Sequence, residues 1–79
     1  MADNHSITVY STPSCPYCLQ AKRFLIEKGI SFIEKDVAVD LGARDEMVKI
    51  SGQLGVPVID VDGSIIIGFN RPKIEELIA

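Results

Sequence analysis

The chain has two cysteines, and they stand as Cys15-Pro16-Tyr17-Cys18. A pair at this spacing can cycle between dithiol and disulfide, hold a metal, or staple a loop. What distinguishes these uses is where the pair sits. Ile7-Thr8-Val9-Tyr10-Ser11 alternates apolar and polar residues with β-branching, and Thr12-Pro13-Ser14 supplies turn chemistry, so strand and loop precede the cysteines. After them, Ala21, Phe24 and Leu25 recur at helical spacing. A sulfur at the first turn of a helix meets unpaired backbone N–H groups and the positive end of the helix dipole, which favour S⁻ over SH. Cys15 is therefore the expected nucleophile. Cys18, on the same helical face, is placed to attack a mixed disulfide formed by Cys15 and so release the substrate reduced.

A redox pair is the expectation over a structural disulfide or a metal site. Zinc needs about four ligands, and beyond the cysteines the chain offers one histidine, His5, in a segment, residues 1–5, expected to be a flexible tail. No metal site is expected. Pro16 suits the first helical turn, where its missing N–H would be unpaired anyway and its φ is already helical. Its lost donor also weakens thiolate stabilisation and so tunes the potential. Tyr17 projects between the cysteines and is expected to belong to a partner-docking surface rather than to act as an acid or base. Lys22 reads first as a solvated helix charge and second as a source of positive potential at the cysteines.

The pair must be positioned by a small scaffold. Seventy-nine residues with 47% hydrophobic content make one domain, 1–79, with room for a single core. The formal charge is 8 − 11 = −3, and no basic run offers a path along a phosphate backbone, so no nucleic-acid partner is expected. Neither a leader pattern nor an apolar run of the ~20 residues needed for a membrane span is present. The default expectation is a cytoplasmic monomer, in a compartment where a lone Cys-x-x-Cys is more often catalytic or metal-binding than a staple.

Gly29 stands where a left-handed cap ends the first helix, and Ile30 to Val37 returns to β-rich composition with Ile30, Phe32 and Ile33. Strand, helix and strand in that order make a right-handed, parallel βαβ unit. Asp40 is placed to cap a second helix whose apolar side is Ala43, Met47 and Ile50, and Gly52 to stop it. Val56-Pro57-Val58-Ile59 and Ser64-Ile65-Ile66-Ile67 flank Asp60-Val61-Asp62-Gly63, and Asp-Gly favours an antiparallel hairpin. Asn70 then caps a last helix with Pro72 in its first turn and Ile74, Leu77 and Ile78 on one face. The expected order is βαβαββα, an α/β fold with a four-stranded mixed sheet flanked by three helices.

This order, the Cys-Pro-Tyr-Cys tetrad after the first strand and Val56-Pro57 before the third together resemble the thioredoxin fold in its short glutaredoxin form, over nearly the whole chain. The resemblance implies a cis Val56-Pro57 bond facing the cysteines. An X-Pro amide is held cis at low cost, and the backbone of Val56 would then receive a disulfide-bearing chain or tripeptide as an added strand. Three departures from the glutathione-binding pattern stand out. Thr12 occupies the place of a lysine, Gly55-Val56-Pro57 replaces Thr-Val-Pro, and Asn70 replaces a carboxylate in Ile67-Gly68-Phe69-Asn70-Arg71. Gly68-Phe69-Asn70-Arg71-Pro72 is instead similar to the ending of glutaredoxin-like redoxins of the NrdH type, which take electrons from thioredoxin reductase and pass them to ribonucleotide reductase.

The resemblance implies a thiol-disulfide oxidoreductase with no bound cofactor, its electrons coming from NADPH through thioredoxin reductase or from glutathione, its partners disulfide-containing proteins. Cys15 and Cys18 carry the chemistry, and Pro16, Tyr17, Val56, Pro57, Gly68, Phe69, Asn70 and Arg71 form the substrate groove. Asn70 reads first as a helix cap, Phe69 equally as core or groove, and Arg71 as the cation that meets a ligand carboxylate. The alternative is a non-catalytic module of the same fold that carries an iron–sulfur cluster or zinc only within a complex. Pro16 and the altered glutathione site argue against the cluster.

Overall fold

Ile7–Ser11 forms strand β1, and four of its five residues are buried. A computed structural model describes residues 6–78; the expected tail, with His5, lies outside the described residues. After β1 come α1 (Pro16–Glu27), β2 (Ile33–Asp36), α2 (Leu41–Ser51), β3 (Val58–Val61), β4 (Ser64–Ile67) and α3 (Arg71–Ile78). The sheet order is β2-β1-β3-β4, with β1 and β2 parallel and the other pairs antiparallel.

β1 divides two apolar clusters because its side chains alternate across the sheet. Ile7 and Val9 join Ile59, Val61 and Ile66 on one face, covered by Ala21, Phe24 and Leu25 of α1 and Ile74 of α3. Tyr10 and Val58 lie on the other face with Val37, under Ala43 and Met47 of α2. Three layers result, with two helices on one side of the sheet and one on the other.

The stops and caps are local chemistry. Gly29 and Gly52 follow α1 and α2 at φ +71° and +72°, the left-handed region that suits residues without a Cβ. Asp40 Oδ1 accepts the Ala43 N–H at 3.0 Å, and Asn70 Oδ1 accepts that of Lys73 at 3.3 Å, so both act as helix caps.

Some boundaries differ from the sequence reading. β3 includes Asp60 and Val61, which pair with Ile65 and Ser64, leaving Asp62-Gly63 as a two-residue turn with both φ positive. Asp60 Oδ1 accepts the Gly63 N–H at 2.8 Å and closes it. β2 starts only at Ile33; Ile30 and Phe32 belong to the connection and pack on the first cluster. Ile50 is exposed rather than core, because α2 rests on the sheet through Ala43 and Met47.

Two polar ties cross the layers. Tyr10 donates its hydroxyl to Glu46 Oε1 at 2.6 Å, and Lys35 reaches the same oxygen at 2.7 Å, joining β1, α2 and β2. Lys22 of α1 pairs with Glu34 Oε2 of β2 at 2.6 Å, where Ser11 also donates at 3.1 Å. Lys22 thus has a fixed partner instead of being simply solvated. Lys35 holds the Glu46 carboxyl, and Lys22 the Glu34 carboxyl, below the usual range. Burial, together with the bond to Glu46, pushes the Tyr10 phenol well above its ordinary 10.0.

Two stability predictions follow from these contacts. Tyr10→Phe should lower stability in urea by about 1 kcal/mol, since Glu46 stays hydrated and keeps Lys35. A raised phenol pKa stabilises below ~10 and is lost as pH climbs through the folded value, so the substitution should also flatten the alkaline fall in stability. Asp40→Ala should cost about 1 kcal/mol by the same measurement.

Candidate functional site

The loop leaving β1 closes when Thr12 O accepts the Cys15 N–H at 3.3 Å, and α1 begins at once. Cys15 is the N-cap of that helix, its backbone extended at φ −93° and ψ 110°. Its Sγ accepts the Cys18 N–H at 3.2 Å, the role an oxygen of Ser, Thr, Asp or Asn usually fills. Pro16 starts the helix where no N–H is needed. Tyr17 stands exposed between the cysteines.

The two thiols are free and unequal. Cys15 is partly exposed, whereas Cys18 is 0% exposed behind it. Burial pushes the Cys18 thiol up to about 12, with its hydrogen bond to Cys15 adding to the rise; the Thr12 backbone and the Lys22 charge oppose it. One sulfur is reachable from outside and the other is held protonated beneath it.

The Val56-Pro57 peptide is cis. The Val56 carbonyl accepts from Cys15 Sγ at 3.8 Å, a long sulfur contact that places this backbone against the cysteines. Pro57 is buried, and its carbonyl accepts the Gly68 N–H at 2.8 Å. Cys15, Val56, Pro57 and Gly68 are thereby brought into one neighbourhood.

The remaining residues singled out in the sequence turn elsewhere. The Phe69 ring is partly buried and tilted against Phe24, with centroids 6.1 Å apart. Asn70 Oδ1 is engaged as the α3 cap. The Arg71 guanidinium lies over the Phe24 ring, 5.1 Å from its centroid, and pairs with Glu75 at 3.6 Å.

One cleft opens on Cys15, and another lies on the Val56 side of Thr12. The first, of about 310 Å³, is bounded by Thr12, Cys15, Pro16, Leu19 and Lys22. The other, of about 280 Å³, lies between Thr12, Val56, Arg44 and Leu54. Neither is lined by Asn70 or Arg71. Arg44 escaped the sequence reading because its proximity to Thr12 and Val56 arises only when α2 packs on the sheet. The one local signal was a cation on the same helical stripe as Leu41 and Val48. Among the described residues no group of three or more His, Cys, Asp or Glu side chains is arranged to hold a metal, and no helix is long and apolar enough to cross a membrane.

The sequence model of the glutaredoxin family matches residues 7–66, from the start of β1 into β4. The chain belongs to the glutaredoxin family. As a glutaredoxin-like chain it is 50% identical over 72 residues to an uncharacterised glutaredoxin-like 8.6 kDa protein in the rubredoxin operon of Clostridium pasteurianum, covering 91% of this chain and 96% of that one. It is 40% identical over 63 residues to glutaredoxin 3 of Escherichia coli strain K12, covering 80% and 76%. The fold matches that of the glutaredoxin-like protein NrdH-redoxin from Escherichia coli with a TM-score of 0.80, 26% identity and coverage of 91% and 93%. The three helices and mixed four-stranded sheet of this glutaredoxin-like chain are therefore a thioredoxin fold.

The inequality of the thiols has a chemical readout. At pH 7 to 8, iodoacetamide should modify Cys15 and leave Cys18 untouched. Cys18 labelling should rise only as pH approaches 12, followed by peptide mass spectrometry on the unfolded, quenched protein. Equal labelling of both at neutral pH would contradict the burial of Cys18.

Proposed function

We propose that this glutaredoxin-like protein is a thiol-disulfide oxidoreductase in which Cys15 attacks and Cys18 resolves. The observation that carries this reading is the unequal pair at the start of α1: Cys15 partly exposed and capping the helix, Cys18 buried one turn below.

In the first step Cys15 sulfur attacks one sulfur of a substrate disulfide in line. The S–S bond breaks, the far sulfur departs as thiolate, and a Cys15 mixed disulfide forms. The departing thiolate takes up the proton that Cys18 must lose. Cys18 then attacks Cys15 sulfur, the mixed disulfide breaks, and the second substrate sulfur leaves as thiolate and takes its proton from water. Two electrons have passed from the Cys15–Cys18 dithiol to the substrate, and the protein is left as the disulfide. The Val56 backbone supports this path by aligning the incoming chain beside Cys15, and Pro16 borders the cleft on which Cys15 opens.

No bound cofactor takes part; two electrons from outside restore the dithiol. We favour NADPH with thioredoxin reductase as their source. Asn70 is committed to capping α3 and Arg71 to Phe24 and Glu75, and the fold neighbour NrdH-redoxin has a thioredoxin-like activity profile. Partners would be disulfide-bearing proteins of the cytoplasm, ribonucleotide reductase being one candidate. Arg44 favours a second reading, glutathione as donor, because it lines the cleft at Thr12 and Val56 and is suited to a carboxylate.

Cys15→Ser should abolish disulfide reduction, and Cys18→Ser should accumulate substrate bound to Cys15, seen as a mass increase reversed by dithiothreitol. Rates of reduction of the oxidised protein, by NADPH with thioredoxin reductase and by glutathione with glutathione reductase, separate the donors. A clear lead for glutathione, reduced roughly tenfold by Arg44→Ala, would establish the second reading. A purified protein with no redox turnover under either couple would leave the fold as a binding module.

A further inference from the structure

The cleft at Thr12 and Val56 does not end at Arg44. Arg44 and Leu54 are also walls of a second, larger cleft of about 580 Å³ bounded by Leu41, Asp45, Val48 and Lys49. The two clefts adjoin at these residues, the first beside the backbone nearest Cys15 and the second along the outer face of α2, and a chain crossing Arg44 would treat them as one trough. It exposes large apolar side chains: Leu41 of α2 is 65% exposed, and Leu54, in the loop after the helix, 57%.

The size of the trough restricts what fills it. Leu41 and Val48 stand ~10 Å apart along α2 at ~1.5 Å rise per residue. A fully extended tripeptide spans at most ~11 Å. With its sulfur held at Cys15, a tripeptide has only one residue on either side, ~3.6 Å of backbone, too short to follow the ~10 Å of α2 between Leu41 and Val48. An occupant of the whole trough must therefore be a longer chain. Its chemistry is set by the walls. Leu41, Val48 and Leu54 call for apolar side chains, and Arg44 and Lys49 against the single Asp45 call for net negative charge.

We propose that this trough receives an extended, apolar and acidic segment of the polypeptide that carries the substrate disulfide, so that protein disulfides are preferred over small ones. The proposal rests on the redox reading above and adds the substrate class to it. The segment lies with its disulfide at Cys15, crosses the Val56 backbone and continues over Arg44 along α2. Leu41 and Val48 are specificity-determining residues on this path and have no part in the sulfur exchange.

The test uses two mixed disulfides with thionitrobenzoate, whose release is coloured. One is N-acetylcysteine. The other is a peptide of about twelve residues, ~40 Å when extended, with its cysteine central and alternate leucines and one glutamate on each side. With each protein reduced beforehand and in excess, kcat/KM, read as the second-order rate constant of single-turnover release, should for wild type be at least about tenfold higher for the peptide. In the Leu41→Ser/Val48→Thr double variant this advantage should shrink several-fold while the N-acetylcysteine rate stays as in wild type, which also reports an intact fold. Equal kcat/KM for the two probes in wild type would overturn the proposal and leave the redox reading standing. Failure to turn over either probe would sink the redox reading and the proposal with it. Sedimentation of both proteins covers the remaining occupant: a wild-type dimer that the double variant dissolves would assign the trough to a second copy of this chain and overturn the proposal.

Discussion

Every layer of the molecule leans on the central position of β1. It is hydrogen-bonded to β2 on one side and β3 on the other, and its side chains supply both apolar clusters. A strand buried on both faces has little freedom to slip, because moving its register by one residue would exchange the contents of the two cores. Its C-terminal end is therefore a fixed point. Thr12-Pro13-Ser14 carries the chain from that point into α1, so the position of Cys15 is set by the rigid part of the sheet.

The second half of the site reaches the same place by a different route. β3 runs antiparallel to β1, so the start of β3 lies beside the end of β1, and Val56-Pro57 immediately precedes it. Residues 41 positions apart in sequence meet at Cys15 Sγ and the Val56 carbonyl because two neighbouring strands are pinned. The bond from Gly68 N–H to Pro57 O extends this arrangement to the end of β4. Layer contacts at Tyr10–Glu46 and Lys22–Glu34 hold α2 and α1 in the orientations that leave the two clefts open.

What could be read from the sequence was whatever depends on local chemistry. The strand before Cys15, the helix after it, Gly29 and Gly52 as stops, Asp40 and Asn70 as caps and the Asp62-Gly63 turn all follow from short-range rules. The resemblance to the thioredoxin fold was carried by their order together with the Cys15-Pro16-Tyr17-Cys18 tetrad and Val56-Pro57. Harder to read was anything decided by partners distant in sequence. Asp60 and Val61 looked like turn residues because nothing local says that both Ile65 and β1 pair with them. Arg44 went unread as a site residue, since only the docking of α2 brings it toward Thr12. Arg71 looked like a ligand cation because the Phe24 ring that it covers lies in another helix. Lys22 had a hidden partner in β2 for the same reason.

The cap of α1 is a sulfur, and that sulfur is also the atom whose bonding changes when a disulfide forms. In a disulfide that sulfur carries a second covalent bond in place of its proton, so oxidation alters how the first turn is tied to Cys15. Redox state and helix stability are thereby coupled thermodynamically through the Cys18 N–H, and the coupling acts in both directions. A substitution anywhere in the first turn that changes how well it holds together would displace the dithiol-disulfide equilibrium without touching either cysteine. The scaffold is in this sense a reactant, and its folding free energy and the affinity of the pair for electrons are not independent quantities.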